Sequence, residues 1–247
     1  MPHQKFFHLR GFKYWMPLFI FAFSVLVFFF SLNFDMAEAE TIYVDASGNG
    51  DYTSIQDAIN HASEGDTLIV NLGTYTEQLN VDKPLKIFGN SSDASKIVID
   101  GDSTGDTVIF SSSNIIFHNF TLKNSGNDKA LISISGNTNS NISNCLFEVN
   151  SKGIQFTNSA SSHEVYNSTF QGEDKTGTGI EIVDGDNLKI VGSKFTDLNT
   201  GIFFNVQGTG VSNQDNTIND CIIKGNRRGI EFFEIEDNEN TGTDTTK

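Results

Sequence analysis

From about Phe117 onward, the hydrophobic positions alternate with polar ones in very short bursts, and the bursts recur at intervals of roughly 22 to 28 residues. One column of the recurrence reads Phe117, Ile142, Val165, Ile190, Ile218. Two residues later come Asn119, Asn144, Asn167, Gly192 and Asp220, and three further on Leu122, Phe147, Phe170, Phe195 and Ile223. After a loop of variable length follows Gly-Ile-x-(Phe/Ile), as Gly153-Ile154-Gln155-Phe156, Gly179-Ile180-Glu181-Ile182, Gly201-Ile202-Phe203-Phe204 and Gly229-Ile230-Glu231-Phe232. An earlier, less regular copy is Leu131-Ile132-Ser133-Ile134. Alternation with period two means strands with one buried face. Strands this short are not stable alone, but coils stacked on one another bury a continuous column. The expected fold is therefore all-β, a single-stranded right-handed parallel β-helix of about six or seven coils.

Details of the repeat follow from that stacking. Asn at the fixed turn tolerates left-handed backbone, and its amide is expected to bond the next Asn in the stack. Gly before each Ile relieves a tight approach where the loop rejoins the stack. One segment departs from the β pattern. Thr53-Ser54-Ile55-Gln56 reads as a capping box with Thr53 at the N-cap and Gln56 reaching back, and Ile55, Ala58, Ile59 and Ala62 form an apolar helical stripe ending near Gly65. This short helix is expected to close the N-terminal end of the column against strand addition. Strands resume at 67–70, 85–88 and 96–99.

The first 39 residues read as a targeting segment. Lys5, Arg10 and Lys13 precede an uncharged, apolar run from Tyr14 to Phe34, and Ala37-Glu38-Ala39 fits a cleavage pattern. Residues 1–39 are expected to be a signal peptide or a membrane anchor spanning 14–34, with the N-terminus inside and the body outside the cytoplasm. Residues 40–233 form the β-helix, and 234–247 an acidic, disordered tail. The chain's net charge is −15, which repels phosphate backbones and argues against nucleic acid. Export also permits a disulfide, but Cys145 and Cys221 occupy equivalent positions three coils apart, roughly 14 Å, too far to bridge. Both are expected to be free thiols. Sequons at Asn90, Asn119, Asn141 and Asn167 would matter only in a glycosylating host.

The segment Ile42-Tyr43-Val44-Asp45-Ala46-Ser47-Gly48-Asn49-Gly50-Asp51-Tyr52-Thr53-Ser54-Ile55-Gln56-Asp57-Ala58-Ile59, with Gly73-Thr74-Tyr75-Thr76-Glu77, resembles the opening of pectin methylesterases and related pectin-lyase-like β-helices. The later Asn and Gly-Ile repeats are similar to NosD-like periplasmic β-helix proteins. The esterase resemblance implies catalytic aspartates. Cys221-Ile222-Ile223-Lys224-Gly225 fits the C-x-I-x-G stretch that precedes one of them, but Arg228 stands where that aspartate would be. No Q-D-T segment occurs near Cys145, and the only Trp is Trp15.

In the superfamily the strand resembling Gly-Ile lines the polysaccharide cleft, and alternation turns the residue after each Ile outward. The resulting column is Ser133, Gln155, Glu181, Phe203 and Glu231. An aromatic with amides and carboxylates suits a sugar, so Gln155, Glu181, Phe203 and Glu231 are candidate substrate-binding residues. Glu181, Glu231, Arg227 and Arg228 are the candidates for catalysis. The two glutamates lie roughly 10 Å apart, slightly beyond an inverting pair. Ca²⁺ could be held by Asp100, Asp102 and Asp106 or by Asp184 and Asp186, although Asp-Gly is also ordinary turn chemistry. Three functions stay open: a surface β-helix binding extracellular polysaccharide or a cell-surface protein; a polysaccharide lyase, hydrolase or esterase; and a NosD-like accessory protein for an exported metalloenzyme. The third sits poorly with a chain that has no Met beyond residue 36.

Overall fold

The structure is a computed structural model, and it describes residues 38–206 and 213–234. The targeting segment, with its span at 14–34, and the tail beyond Glu234 lie outside the described residues. Among the described residues no helix is long and apolar enough to cross a membrane.

The repeating columns become the faces of a right-handed parallel β-helix. On the first face, eight strands stack in chain order, from Thr41–Val44, Thr67–Val70 and Lys86–Gly89 to Lys189–Val191 and Thr217–Asn219. Eight strands make seven coil-to-coil steps. The second face runs from Gly73–Thr76 through Ile97–Asp100, Thr121–Lys123 and Leu146–Val149 to Ile222–Lys224. The third runs from Leu79–Val81 through Val108–Phe110, Ala130–Ser135 and Lys152–Thr157 to Arg228–Glu234. Two long strands, Thr169–Ile182 and Lys194–Val206, continue round the corner and join the second and third faces. Every pairing is parallel. The register slips between Gln171 and Thr176, so the extra residues of that coil sit in one corner and the columns on either side stay aligned.

The predicted columns are the observed registers. Phe147, Phe170 and Phe195 pair in sequence order. Their rings stack at 4.4 Å and 4.7 Å, each pair 4° from parallel, with no solvent exposure. Ile132, Ile154, Ile180, Ile202 and Ile230 form another inward file. A glycine precedes four of these isoleucines, Ile132 alone following Leu131, and at Gly153, Gly179 and Gly201 the stacking requires it. A Cβ on Gly153 would lie 2.3 Å from the carbonyl oxygen of Gly179, one on Gly179 2.5 Å from Gly201, and one on Gly201 2.6 Å from Gly229. Left-handed φ recurs at Asn119, Asn144, Asn167, Gly192 and Asp220, as the turn column required.

Two local expectations are corrected. The amides of Asn119, Asn144 and Asn167 do not bond one another. Asn119 donates to the carbonyls of Gly89 and Ser91, and Asn144 meets His118, because the turn's N–H groups already bond the next coil. The polar ladder lies one residue on. There the Ser168 and Ser193 hydroxyls accept the N–H of Cys145 and Ser168, and Cys145 and Cys221 occupy the same file as free thiols. The second correction concerns the helix, Ile55–His61. Its N-cap is Ser54 rather than Thr53, and it ends with Ala62 as C-cap before Gly65 is reached. The Gln56 side chain bonds Asn60 and Asn80 instead of reaching back. Glu77 takes over that role: its two oxygens accept the N–H groups of Ile55 and Gln56 and the Ser54 hydroxyl at 2.7–3.0 Å. A carboxylate at the helix start also complements the local dipole. As expected, Ile55, Ala58 and Ile59 are buried against the first coil.

Candidate functional site

The outward file of the third face is built by register. Ser133 pairs with Gln155, Gln155 with Glu181, Glu181 with Phe203, and Phe203 with Glu231. A second file, just before the glycines, runs Ala130, Lys152, Thr178, Thr200, Arg228. Where these files adjoin, polar side chains meet.

Glu181 is the centre of the larger group. It is 6% exposed although it belongs to an outward file. Its Oε2 accepts from Gln155 Nε2 at 2.8 Å and lies 3.0 Å from Lys152 Nζ. Its Oε1 accepts from Asn205 Nδ2 at 2.9 Å. Three coils therefore converge on one carboxylate, which satisfies a charge that would otherwise be costly to bury. Phe203, half-buried, lies beside it in the file. Glu231 forms a smaller group: Oε1 lies 3.4 Å from Arg228 Nε and Oε2 accepts from Thr200 Oγ1 at 3.1 Å.

The structure thus brings Gln155 to Glu181 and Arg228 to Glu231. Glu181 and Glu231 stay two coils apart with Phe203 between them, and Arg227 bonds Leu198 through its backbone N–H. Lys152, Asn205 and Thr200 were missed from sequence. Lys152 and Thr200 carried a signal, because the residue before each Gly-Ile is polar in all four copies. Asn205 lies beyond the repeated motif and carried none.

The aspartate loops use their oxygens within the fold. Asp184 Oδ2 accepts the N–H of Ser159 at 2.7 Å, and Asp186 Oδ1 that of Gln214 at 2.6 Å. Asp106 accepts the N–H of Ala130 at 2.7 Å. Burial pushes the Asp100 carboxyl up. Hydrogen bonds from Asn124 and the Asp102 N–H, with the Lys123 ammonium, outweigh burial and hold it below the usual carboxylate value. Among the described residues no three of His, Cys, Asp or Glu form a group able to hold a metal ion. Concavities of about 630 Å³ and 510 Å³ lie elsewhere, the first beside Asp93, His118, Asn144 and Asn167, the second beside Lys123, Glu148, Gln171 and Glu173.

The sequence profile of the right-handed β-helix region matches residues 86–243. No curated protein sequence matches the chain. Among solved structures, the Escherichia coli protein YbhC superposes with a TM-score of 0.51 at 10% identity, covering 79% of this chain and 84% of that one. A pectin methylesterase in complex with a hexasaccharide gives 0.50 at 13% identity, covering 79% of this chain and 67% of that one. At these identities the likeness is one of fold.

Proposed function

Because this chain belongs to the right-handed β-helix family, we propose that its third face binds an extended polysaccharide outside the cytoplasm, without turning it over. The observation that carries the reading is the in-register strip Gln155–Glu181–Phe203–Glu231, bordered by Lys152, Asn205, Thr200 and Arg228. It offers the Phe203 ring as an aromatic surface for the apolar side of a sugar ring, with the Gln155 amide on one side and the Glu231 carboxylate on the other for hydroxyls, while the buried Glu181, Asn205 and Thr200 hold them in place. A regularly spaced strip suits a polymer better than a single small molecule. Both carboxylates are already committed to cations of the same face, which favours binding over catalysis.

The ligand chemistry follows from charge. A protein of net charge −15 repels polyanions, so a neutral or methyl-esterified polysaccharide is favoured over a fully ionised polyuronate. The solved pectin methylesterase with its hexasaccharide supports a saccharide on this type of scaffold. Export rests on the apolar run at 14–34 behind Lys5, Arg10 and Lys13.

The test is a glycan array followed by titration calorimetry, with neutral, methyl-esterified and de-esterified oligosaccharides. Phe203→Ala and Gln155→Ala should each weaken binding about tenfold or more. An array silent for every polysaccharide, or both variants binding like the parent, would refute the reading. Turnover of any bound glycan would favour the enzymatic alternative.

A further inference from the structure

The corner between the first and second faces is uneven. In the coils that start at Phe117, Ile142, Val165 and Ile190, five positions lead from one inward file to the next, but twelve separate Ile87 from Ile99. The extra residues, within 90–96, stand out as a wall, and the following coil fastens it. Asn119 Nδ2 donates to the carbonyls of Gly89 and Ser91, and Thr121 Oγ1 to that of Ala94 at 3.1 Å. Within the wall Asp93 caps the short helix Ala94–Lys96, accepting from the Ser95 N–H at 3.0 Å and the Ser95 hydroxyl at 2.7 Å. Beneath it lies the concavity of about 630 Å³, which crosses three successive turns of the corner, at Asn119, Asn144 and Asn167. Its floor is Leu146 and Thr169, paired neighbours on the second face.

His118 brings an acceptor to this concavity, and the network behind it fixes which ring nitrogen that is. Glu164 accepts from Asn141 Nδ2 at 3.4 Å and lies 3.0 Å from Lys189 Nζ, so the Asn141 carbonyl oxygen is left for Ser143. That oxygen can only accept, and it takes the Ser143 hydroxyl proton at 3.0 Å. Ser143 Oγ is therefore the acceptor for His118 Nδ1, 3.1 Å away, and Nδ1 carries the proton of the neutral ring. The other nitrogen, Nε2, presents its lone pair beside Asn144 Nδ2 at 3.4 Å, on the side that lines the concavity. The Phe88 ring packs edge-on against the imidazole with centroids 5.9 Å apart, which holds the ring plane.

We propose that this concavity is a second, separate binding site, for a neutral saccharide of one or two rings. The groups it presents are uncharged and include both donors and acceptors: the His118 lone pair, the Asn144 and Asn167 amides, and the hydroxyls of Ser92 and Thr169, beside the apolar Leu146. Among the described residues the side chains of Ser92, Asn167 and Thr169 make no hydrogen bond, so they are available to a ligand's hydroxyls. No Lys or Arg lines the concavity. Its one carboxylate, Asp93, is engaged by Ser95 and lies 4.0 Å from Lys96 Nζ, so neither an anion nor a cation finds a counter-charge of its own. From the first turn to the third is about 10 Å, two coil spacings, which suits a short saccharide or the end of a longer one. The site shares no residue with the third face and does not depend on the reading of that face.

The test uses the full chain in mild detergent, with maltose, cellobiose, lactose, mannobiose and diacetylchitobiose as probes and saturation-transfer NMR as the readout. At least one probe should bind. Ser92→Trp, which fills the concavity from an exposed loop position, should reduce that signal at least fivefold. Thr169→Val, which removes one hydroxyl at nearly constant volume, should reduce it at least twofold, and both variants should keep the parent's circular dichroism. Phe203→Ala should leave the signal intact, although the same change weakens the polysaccharide binding assigned to the third face, so the two readings fail separately. Silence of all five probes would overturn the proposal. So would a signal that survives both Ser92→Trp and Thr169→Val, or one that Phe203→Ala abolishes.

Discussion

Phe170→Ala probes the stacked column most sharply. Phe170 has no solvent exposure and sits between the rings of Phe147 at 4.4 Å and Phe195 at 4.7 Å. Truncating a buried Phe to Ala costs about 3–5 kcal/mol in transfer and cavity terms. An aromatic pair adds about 0.5–1.5 kcal/mol beyond area, and here two pairs are lost at once, so the upper half of that range is expected. The neighbouring coils constrain collapse, because their own registers are fixed by backbone ladders on three faces. Phe170→Leu should cost less than half as much, since Leu122 and Ile223 occupy the same file at its ends. Phe232→Ala, at a ring 74% exposed, should cost about 1 kcal/mol or less. The assay is urea unfolding followed by far-ultraviolet circular dichroism, with stability extrapolated linearly. If Phe170→Ala lowered stability by less than about 1 kcal/mol, or by less than Phe232→Ala, the aromatic file would not be an interior column and the reasoning would fail.

Three further outcomes follow from the same geometry. Lys152→Met removes the cation beside the nearly buried Glu181 and should cost about 1–3 kcal/mol, measured by urea unfolding, because the carboxylate keeps only its Gln155 and Asn205 donors. Gly179→Ala sets a methyl 2.5 Å from a backbone oxygen and should give mostly insoluble protein on expression, while Gly229→Ala, whose methyl would meet only Ile223 Cγ2 at 3.6 Å, should stay soluble. His163 is buried, its Nδ1 accepting from Ser140 N–H and its Nε2 bonding Asn137 oxygen, and burial lowers its pKa despite those bonds. The unfolded chain therefore takes up that proton first, and stability should fall as pH drops below about 6.5, the ordinary histidine value. Thermal midpoints compared between the parent and His163→Gln across pH 5–8 check this, and equal slopes would remove His163 as the cause.

The columns could be read from the chain because the coil imposes one constraint on every turn. Inward positions must be apolar, the residue before Ile154, Ile180 and Ile202 must lack a Cβ, and the turn must accept left-handed backbone. Those demands recur, so Phe147, Phe170 and Phe195 or Gly153, Gly179 and Gly201 announce themselves by spacing. What escaped was each contact made once. Glu77 caps a helix that begins 22 residues earlier, and no repeat marks it. Asn205 reaches Glu181 one coil away from a position outside the motif. The Asn turn column had the right conformation but the wrong amide partners, since the backbone N–H groups satisfied the neighbouring coil first. The outward file itself was legible. The network that buries Glu181 within it was not, because it depends on how far Lys152 and Asn205 extend across coils.

The vertical alignment of the third face is most directly tested by a pair of cysteines placed 26 residues apart in sequence, Gln155→Cys with Glu181→Cys, in the chain lacking Cys145 and Cys221. Adjacent parallel strands lie about 4.8 Å apart, inside the window for a disulfide, so this pair should close within one molecule on mild oxidation. Gln155→Cys with Phe203→Cys, two coils apart, should not. Closure of the second pair and not the first would contradict the stacking on which every proposed contact depends.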